Sequence, residues 1–330
     1  MSDGHNNHHH NHHHARAAHH QANSSLTTRA AIASVATAAF LMLIKGYAAW
    51  HTGSVAMLGS LADTGLDLVA SMVTLFGVRL AAQPADHDHR FGHGKAESLV
   101  ALFQVAVIAA SAFAIFGRAL DRLMARQATA DAEIGIAASV IAIGVTIALL
   151  AYQRFVIAKT GSVAIGADHV HYQSDVLLNL AVIGALVLDQ YLGVTGADPL
   201  FGIAIAAWLL WGAWRASSSA IDQLMDKEWP AEKRRRFVEV AGRHPELKGL
   251  HDLRTRTSGA TDFVQFHIWM DPEMTIAEAH VVTDRIEHSL AREFPGTEVL
   301  IHIDPEGQVD HPGNDLVEAD EIAKLKDNQP

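Results

Sequence analysis

Two aspartates, Asp63 and Asp67, stand four residues apart inside an otherwise apolar stretch of helical period, LADTGLDLVASM from Leu61. Four residues is about one helical turn, so the two carboxylates share a face. A carboxylate at lipid depth costs ~2.5–3.5 kcal/mol even on a lenient insertion scale, so such a pair persists only where something cationic visits it. A second pair, His171 and Asp175, has the same spacing at the start of the long apolar run HVHYQSDVLLNLAVIGALVL. If the two faces meet, three carboxylates and one imidazole fill all four positions of a tetrahedral divalent-metal site. The plainer alternative is helix-end caps and solvated polar residues, but two ligand pairs at one spacing in two membrane-length segments make a poor coincidence. A catalytic zinc keeps a position open for water, and no HExxH motif occurs, so the set is suited to holding and releasing an ion rather than activating water.

Positioning these pairs needs membrane helices. Of 330 residues 49% are hydrophobic and only 18% charged, against roughly 25% charged in soluble domains. Six apolar blocks follow one another near 28–51, 54–81, 96–118, 134–154, 165–190 and 198–220, each near the ~20 residues that cross a bilayer as a helix. The third and fourth blocks carry no charge over 98–117 and 134–153 and read as lipid-facing scaffold, whereas blocks two and five carry the ligands and belong inside. Lys45, near Tyr47 and Trp50, reads as a lysine snorkelling to the interface. Basic residues cluster in the tail, the second and fourth loops and after block six, which favours both termini in the cytoplasm. Cysteine is absent, so any metal is held by His, Asp or Glu. The net charge of −11 reflects acidic residues toward the C-terminus, and no basic patch with interleaved aromatics suggests nucleic acid. No secretory signal pattern opens the chain.

The sequence divides into a His-rich tail over 1–26 holding nine of the 22 histidines, a six-helix membrane domain over 27–222, a small domain over 229–306 and an acidic tail over 307–330. Both tails are poor in apolar residues and are expected to be disordered. In the small domain, Pro230 opens a helix, two strand patterns LHDLRTRT and DFVQFHIWM follow, then an amphipathic helix over 276–293 and a last strand TEVLIHID. The order αββαβ predicts two helices on one face of a three-stranded sheet. The fold class is therefore a mostly α membrane protein with a small α+β domain appended.

The segment around Asp63 and Asp67, together with QPADHDHRFGHGKAESL, ADHVHYQSD, HDLRTRTSG and the ending LIHIDP, resembles the cation diffusion facilitator family, and within it the bacterial zinc and iron efflux members. The resemblance runs from about residue 27 to 305. It implies a six-helix membrane domain, a metallochaperone-like cytoplasmic domain, a homodimer in the inner membrane and exchange of a divalent metal for protons. Carried over residue by residue, the transport site falls on Asp63, Asp67, His171 and Asp175, the set already singled out. A loop site falls on Asp86, His89 and His93, whose rival reading is a solvated glycine-rich loop. A binuclear cytoplasmic site falls on His251, His267, His280, His302 and Asp304, and a structural ion pair on Lys95 and Asp226.

Metal ligands must be deprotonated, so metal binding releases protons, and a histidine among carboxylates can trade proton for metal near neutral pH. Mixed oxygen and imidazole donors suit Zn²⁺ first, with Cd²⁺ and Fe²⁺ as the other ions they admit. Within transport the alternative is a ferrous-iron exporter. Outside it, the alternative is a membrane-anchored metal sensor or buffer, which has no need of carboxylates at membrane depth.

Overall fold

The computed structural model describes residues 6–52, 55–125, 133–192, 197–245, 247–308 and 320–327. The chain forms two compact units, one of residues 23–222 and one of 1–22 with 223–330. In the first lie the long helices α1 (Asn6–Thr52, beginning outside it), α2 (Val55–Ala81), α3 (Ala96–Ala125), α4 (Glu133–Thr160), α5 (Val163–Leu192) and α6 (Ala197–Leu224, ending just beyond it). Among the described residues five helices, α1 to α4 and α6, are long and apolar enough to cross a membrane. The sixth, α5, has the length at 30 residues, but Asp168, His169, His171 and Asp175 lower the hydropathy of its first half.

This unit is apolar outward and small or polar inward. Leu66, Phe76, Phe113, Trp211 and Trp214 are exposed, while Ala101, Ala112, Ala164, Ala167 and Ser71 are buried. Small residues at contacts let helix backbones approach where lipid supplies no hydrophobic drive between helices. α5 packs on α2, α3 and α4, and α2 packs on α3, so α5 is interior. Gly77 of α2 marks the tightest such approach: a Cβ there would stand 2.9 Å from Val100 Cβ and 2.0 Å from its Cγ2. A β-branched neighbour cannot rotate away. Gly77→Ala is expected to cost about 1–3 kcal/mol through overpacking, read as a drop in the thermal midpoint of the detergent-solubilised protein.

Two expectations change. The His-rich segment is helical from Asn6 rather than disordered; it contains no Pro or Gly after Gly4, and a helix already nucleated by its membrane portion extends cheaply. Lys45 does not snorkel outward: its Nζ donates to the buried Thr64 Oγ1 of α2 at 2.7 Å, exchanging the interface for a hydroxyl beside the carboxylate pair.

The second unit contains α7 (Ala231–Ala241), β1 (Gly249–Ser258), β2 (Thr261–Met270), α8 (Ile276–Glu293), β3 (Thr297–Pro305) and α9 (Glu321–Asp327). Strand order is β1-β2-β3, with β1 antiparallel and β3 parallel to β2. The parallel step is what the α8 crossover permits. Thr275 and Glu278 form a reciprocal capping box at the start of α8, worth about 1 kcal/mol. Val264, Phe266 and Ile268 of β2 alternate toward the core formed with Phe237, Ile286 and Leu290. The expected order αββαβ therefore holds, with one addition. Within the acidic tail, residues 320–327 are placed: Asp320 Oδ1 accepts from the Leu250 N–H at 3.1 Å, and Ile322 and Leu325 pack against the core. Those two apolar residues at i,i+3 give α9 enough surface to dock, whereas 309–319 lie outside the described residues.

Candidate metal centres

Within the membrane unit the structure brings one donor atom each from Asp67, His171 and Asp175 within 4.8 Å of one another. His171 Nε2 is 3.1 Å from Asp67 Oδ1, and the imidazole is buried. α5 is held in this rotation by Tyr172, whose hydroxyl donates to the Ser34 carbonyl at 3.0 Å on α1 and lies 2.8 Å from Ser71 Oγ on α2. The spacing fixes the rest, since residues 171 and 175 share the α5 face turned to α2. Asp63 does not join this group and its side chain is exposed.

A second group, in the loop between α2 and α3, joins Asp86, His89 and His93. The Asp86 carboxylate accepts the backbone N–H groups of His89 at 2.6 Å and Asp88 at 3.0 Å, an Asx-type turn closed by Gly92 at φ +78°. Its other oxygen is 3.3 Å from His93 Nε2, and the imidazoles of His89 and His93 lie 4.5 Å apart, tilted by 46°. The His89 N–H, with that of Asp88 and the nearby rings, holds the Asp86 carboxyl below the usual carboxylate range. His93 Nδ1 is buried without a hydrogen bond.

A third group, in the other unit, joins His251, His267 and Asp304. Register explains it: His251 pairs with His267, and His267 with His302, so one histidine from each strand lies in a single row. The row occupies the face opposite Phe266 and Ile268. Asp304, two residues past His302, places Oδ2 2.9 Å from His267 Nδ1 and 3.3 Å from His251 Nε2, and Oδ1 3.3 Å from His302 Nε2. Gly249 belongs to the same geometry, because a Cβ there would meet Trp269 Cε3 at 2.5 Å. His280 is not brought in: it lies on α8, which packs by Ala279, Val282, Ile286 and Leu290 on the opposite sheet face, leaving the imidazole exposed. The donors fit a resident divalent ion, since His251 Nδ1 is buried without a hydrogen bond and its Nε2 has just the Asp304 carboxylate at 3.3 Å. Burial and the neighbouring His267 also keep this imidazole below the usual range, hence neutral and free to coordinate. Such an ion would be held by His251, His267, His302 and Asp304, and would supply cross-linking charge rather than chemistry.

Buried polar atoms without bonds destabilise, so His251→Leu, which retains volume and removes them, is expected to leave metal-free stability equal or higher. It should abolish most of the zinc-induced gain at this unit, ~2.7 kcal/mol at a hundredfold excess over Kd. Calorimetric unfolding of the whole protein with and without zinc reads both.

Lys95 precedes α3 in the membrane unit, and Asp226 lies in the other, where Arg256 Nη1 approaches it at 3.5 Å. Four residues near these sites escaped the sequence reading. Asp168, three before His171, is wholly buried, and Gln104 and Gln153 turn inward to it from α3 and α4, so these helices are not purely lipid-facing. Lone amides in otherwise uncharged spans were the available signal. Asp252, at φ +48° in a bulge of β1, places Oδ2 3.6 Å from His267 Nε2; the three-residue spacing of the core-facing Leu250 and Leu253 was its signature.

Residues 31–225 match the family described as the cation efflux transmembrane domain, and residues 229–306 match the cation efflux protein cytoplasmic domain. Proteins named cation-efflux pump FieF from Yersinia pestis (strain Pestoides F) and Yersinia pseudotuberculosis serotype O:3 (strain YPIII) are each 45% identical over 276 residues, covering 84% of this chain and 92% of theirs. Among solved structures, the metal-bound C-terminal domain of the CzcD transporter from Thermotoga maritima is 27% identical, covering 25% of this chain and 99% of that one, at a TM-score of 0.23. Fold, sites and relatives together define a membrane transporter of metal cations, not an enzyme. The chain belongs to the cation diffusion facilitator family, the cation efflux proteins.

Proposed function

We propose that this transporter exports a divalent cation, Zn²⁺ first among candidates, in exchange for protons. The supporting observation is the convergence of Asp67, His171 and Asp175 from α2 and α5. One imidazole with carboxylates suits zinc over the all-oxygen preference of Mn²⁺ or Mg²⁺. Asp63, one turn before Asp67 on α2 and outside the three-donor group, is the fourth ligand in this reading, joining when α2 turns it toward α5 in a site that opens alternately to either side. Three carboxylates around one dication leave the loaded site near −1. Protonation of the ligands relieves that charge as metal departs, so an inward proton gradient drives metal outward.

In this reading both termini lie in the cytoplasm and the protein works in the inner membrane as a homodimer. The histidine row is then a cytoplasmic metal site that draws two copies together. His280, exposed on α8, is available to meet a second copy's row. Asp86, His89 and His93 collect metal at the loop.

The test of metal identity is zinc uptake into inverted membrane vesicles with cadmium, ferrous iron and manganese as competitors. Cadmium and ferrous iron should compete and manganese should not. Manganese competing as well as cadmium would overturn the donor-set argument.

A further inference from the structure

Asp168 is completely buried, lies on α5 outside the proposed ligand set, and is bonded from three other helices. Its Oδ2 accepts from Ser34 Oγ of α1 at 2.6 Å and from Gln153 Nε2 of α4 at 2.8 Å, and its Oδ1 accepts from Gln104 Nε2 of α3 at 3.0 Å. Among the described residues no lysine or arginine lies within ion-pair distance of it. An intramembrane carboxylate of this kind is a candidate functional group in its own right.

The donors differ in how firmly their roles are fixed. Gln153 Nε2 donates toward Asp168 Oδ2 at 2.8 Å and Ser34 Oγ at 3.0 Å, and its Oε1 lies 3.2 Å from His169 Nδ1, a set completed when that nitrogen carries the imidazole proton. Ser34 is not fixed: its hydroxyl has the Asp168 oxygen at 2.6 Å and the Ala30 carbonyl at 3.2 Å within reach. With Asp168 ionised, Ser34 donates to it. With Asp168 protonated, the acid proton on Oδ2 is donated to Ser34 Oγ and the serine proton turns to Ala30 O. Gln104 and Gln153 keep their bonds in both cases. Each protonation state therefore has a full set of partners, and the two differ by one hydroxyl rotation.

We propose that Asp168 takes up and releases a proton during transport, as a group separate from the metal ligands, with Ser34 as the rotor that accommodates both forms. This rests on the proton-exchange reading above and adds a residue to it. The titratable groups whose field reaches Asp168 are His171, Tyr172 and Asp175 on its own helix, with His169 linked through Gln153. Among the described residues, α1, α3 and α4 face it with neutral Ser34, Gln104 and Gln153, and α2 approaches through Ser71, bonded to Tyr172. No hydrogen bond joins Asp168 to His171 among the described residues, so its proton can move without displacing the ligand.

Asp168→Asn is the direct variant. Its Oδ1 can take the Ser34 and Gln153 bonds while its Nδ2 faces Gln104, whose buried Oε1 has no hydrogen bond and turns to accept it, so the variant is expected to fold. Purified parent and variant would be compared in three measurements: zinc binding by calorimetry, zinc flux against pH in proteoliposomes, and pH-difference infrared spectra. The variant should bind zinc within about threefold of the parent, since no ligand changes. It should lose one titration from the flux profile and the carbonyl band of a buried carboxylic acid. Ser34→Ala, which retains the acid and removes its acceptor, should keep that band at a shifted frequency, and serves if the Asn variant does not fold. A parent that couples flux to pH, with an Asn variant matching it in profile and spectrum, or a band unmoved in Ser34→Ala, would overturn the proposal for Asp168 alone. A parent whose flux ignores the pH gradient would instead remove the exchange reading, and this inference with it.

Discussion

Asp67→Ala is expected to abolish transport of every metal while the protein still folds and inserts. The carboxylate stands 3.1 Å from the buried His171 Nε2, and it is the α2 member of the three-donor group. Removing it takes away a ligand, and even outer-sphere partners cost tenfold to a hundredfold in metal affinity, so flux should fall by more than about a hundredfold. His171 is then left buried without its bond, at about 1–3 kcal/mol. Asp67→Asn separates the two effects: its amide can still bond His171, so stability should recover while flux stays near background, because the charge opposing the dication is gone. Isotope flux in proteoliposomes and thermal unfolding, run on both variants, decide it. An Asn variant moving zinc at the parent rate would show that Asp67 is a structural partner of His171 and not a ligand.

His171→Asp carries the second large effect, on selectivity and pH together. The substitution makes the site all-carboxylate, harder and more negative, which favours manganese-like ions over zinc. The ratio of manganese to zinc flux should rise by on the order of tenfold, or ~1.4 kcal/mol. The parent site contains one group that ordinarily titrates near ~6.5, and the variant contains only groups that do so near ~4. Protons compete with metal at the imidazole, so flux of the parent should fall as pH drops through the histidine range. The variant should hold its flux to about one pH unit lower or more, although crowded carboxylates titrate as a coupled set. Unchanged metal ranking and pH profile would mean that His171 neither selects the ion nor meets the proton.

The ligand pairs were legible because they break a pattern: a charge inside a membrane-length apolar run is conspicuous, and spacing of four places both members on one face. The αββαβ order was legible from period-two strands and from Pro230. The buried amides were not, because Gln104 and Gln153 carry no charge and sit in segments apolar enough to pass as lipid-facing. Lys45 misled for the converse reason, since a lysine near aromatic residues reads as an interface anchor unless Thr64 is known to face it. The histidine row could not be seen from any single strand. It arises from register across three strands, and the bulge at Asp252 that sets β1 in register has only an irregular leucine spacing to announce it. Helix α9 was missed because two apolar residues in an acidic tail gain meaning only when a core is present to receive them.

The central claim, that the carboxylate–imidazole site carries a dication one way as protons pass the other, is tested most directly by recording zinc and proton movement together. Purified protein in proteoliposomes, with zinc and pH indicators on opposite sides and no membrane potential, would be given a pH gradient of either sign. Zinc should move against the imposed proton gradient, reverse when the gradient is reversed, and be accompanied by counter-moving protons that vanish with the zinc flux in Asp67→Asn. Zinc flux of the same rate and direction under both gradients, or proton movement that persists in Asp67→Asn, would contradict it.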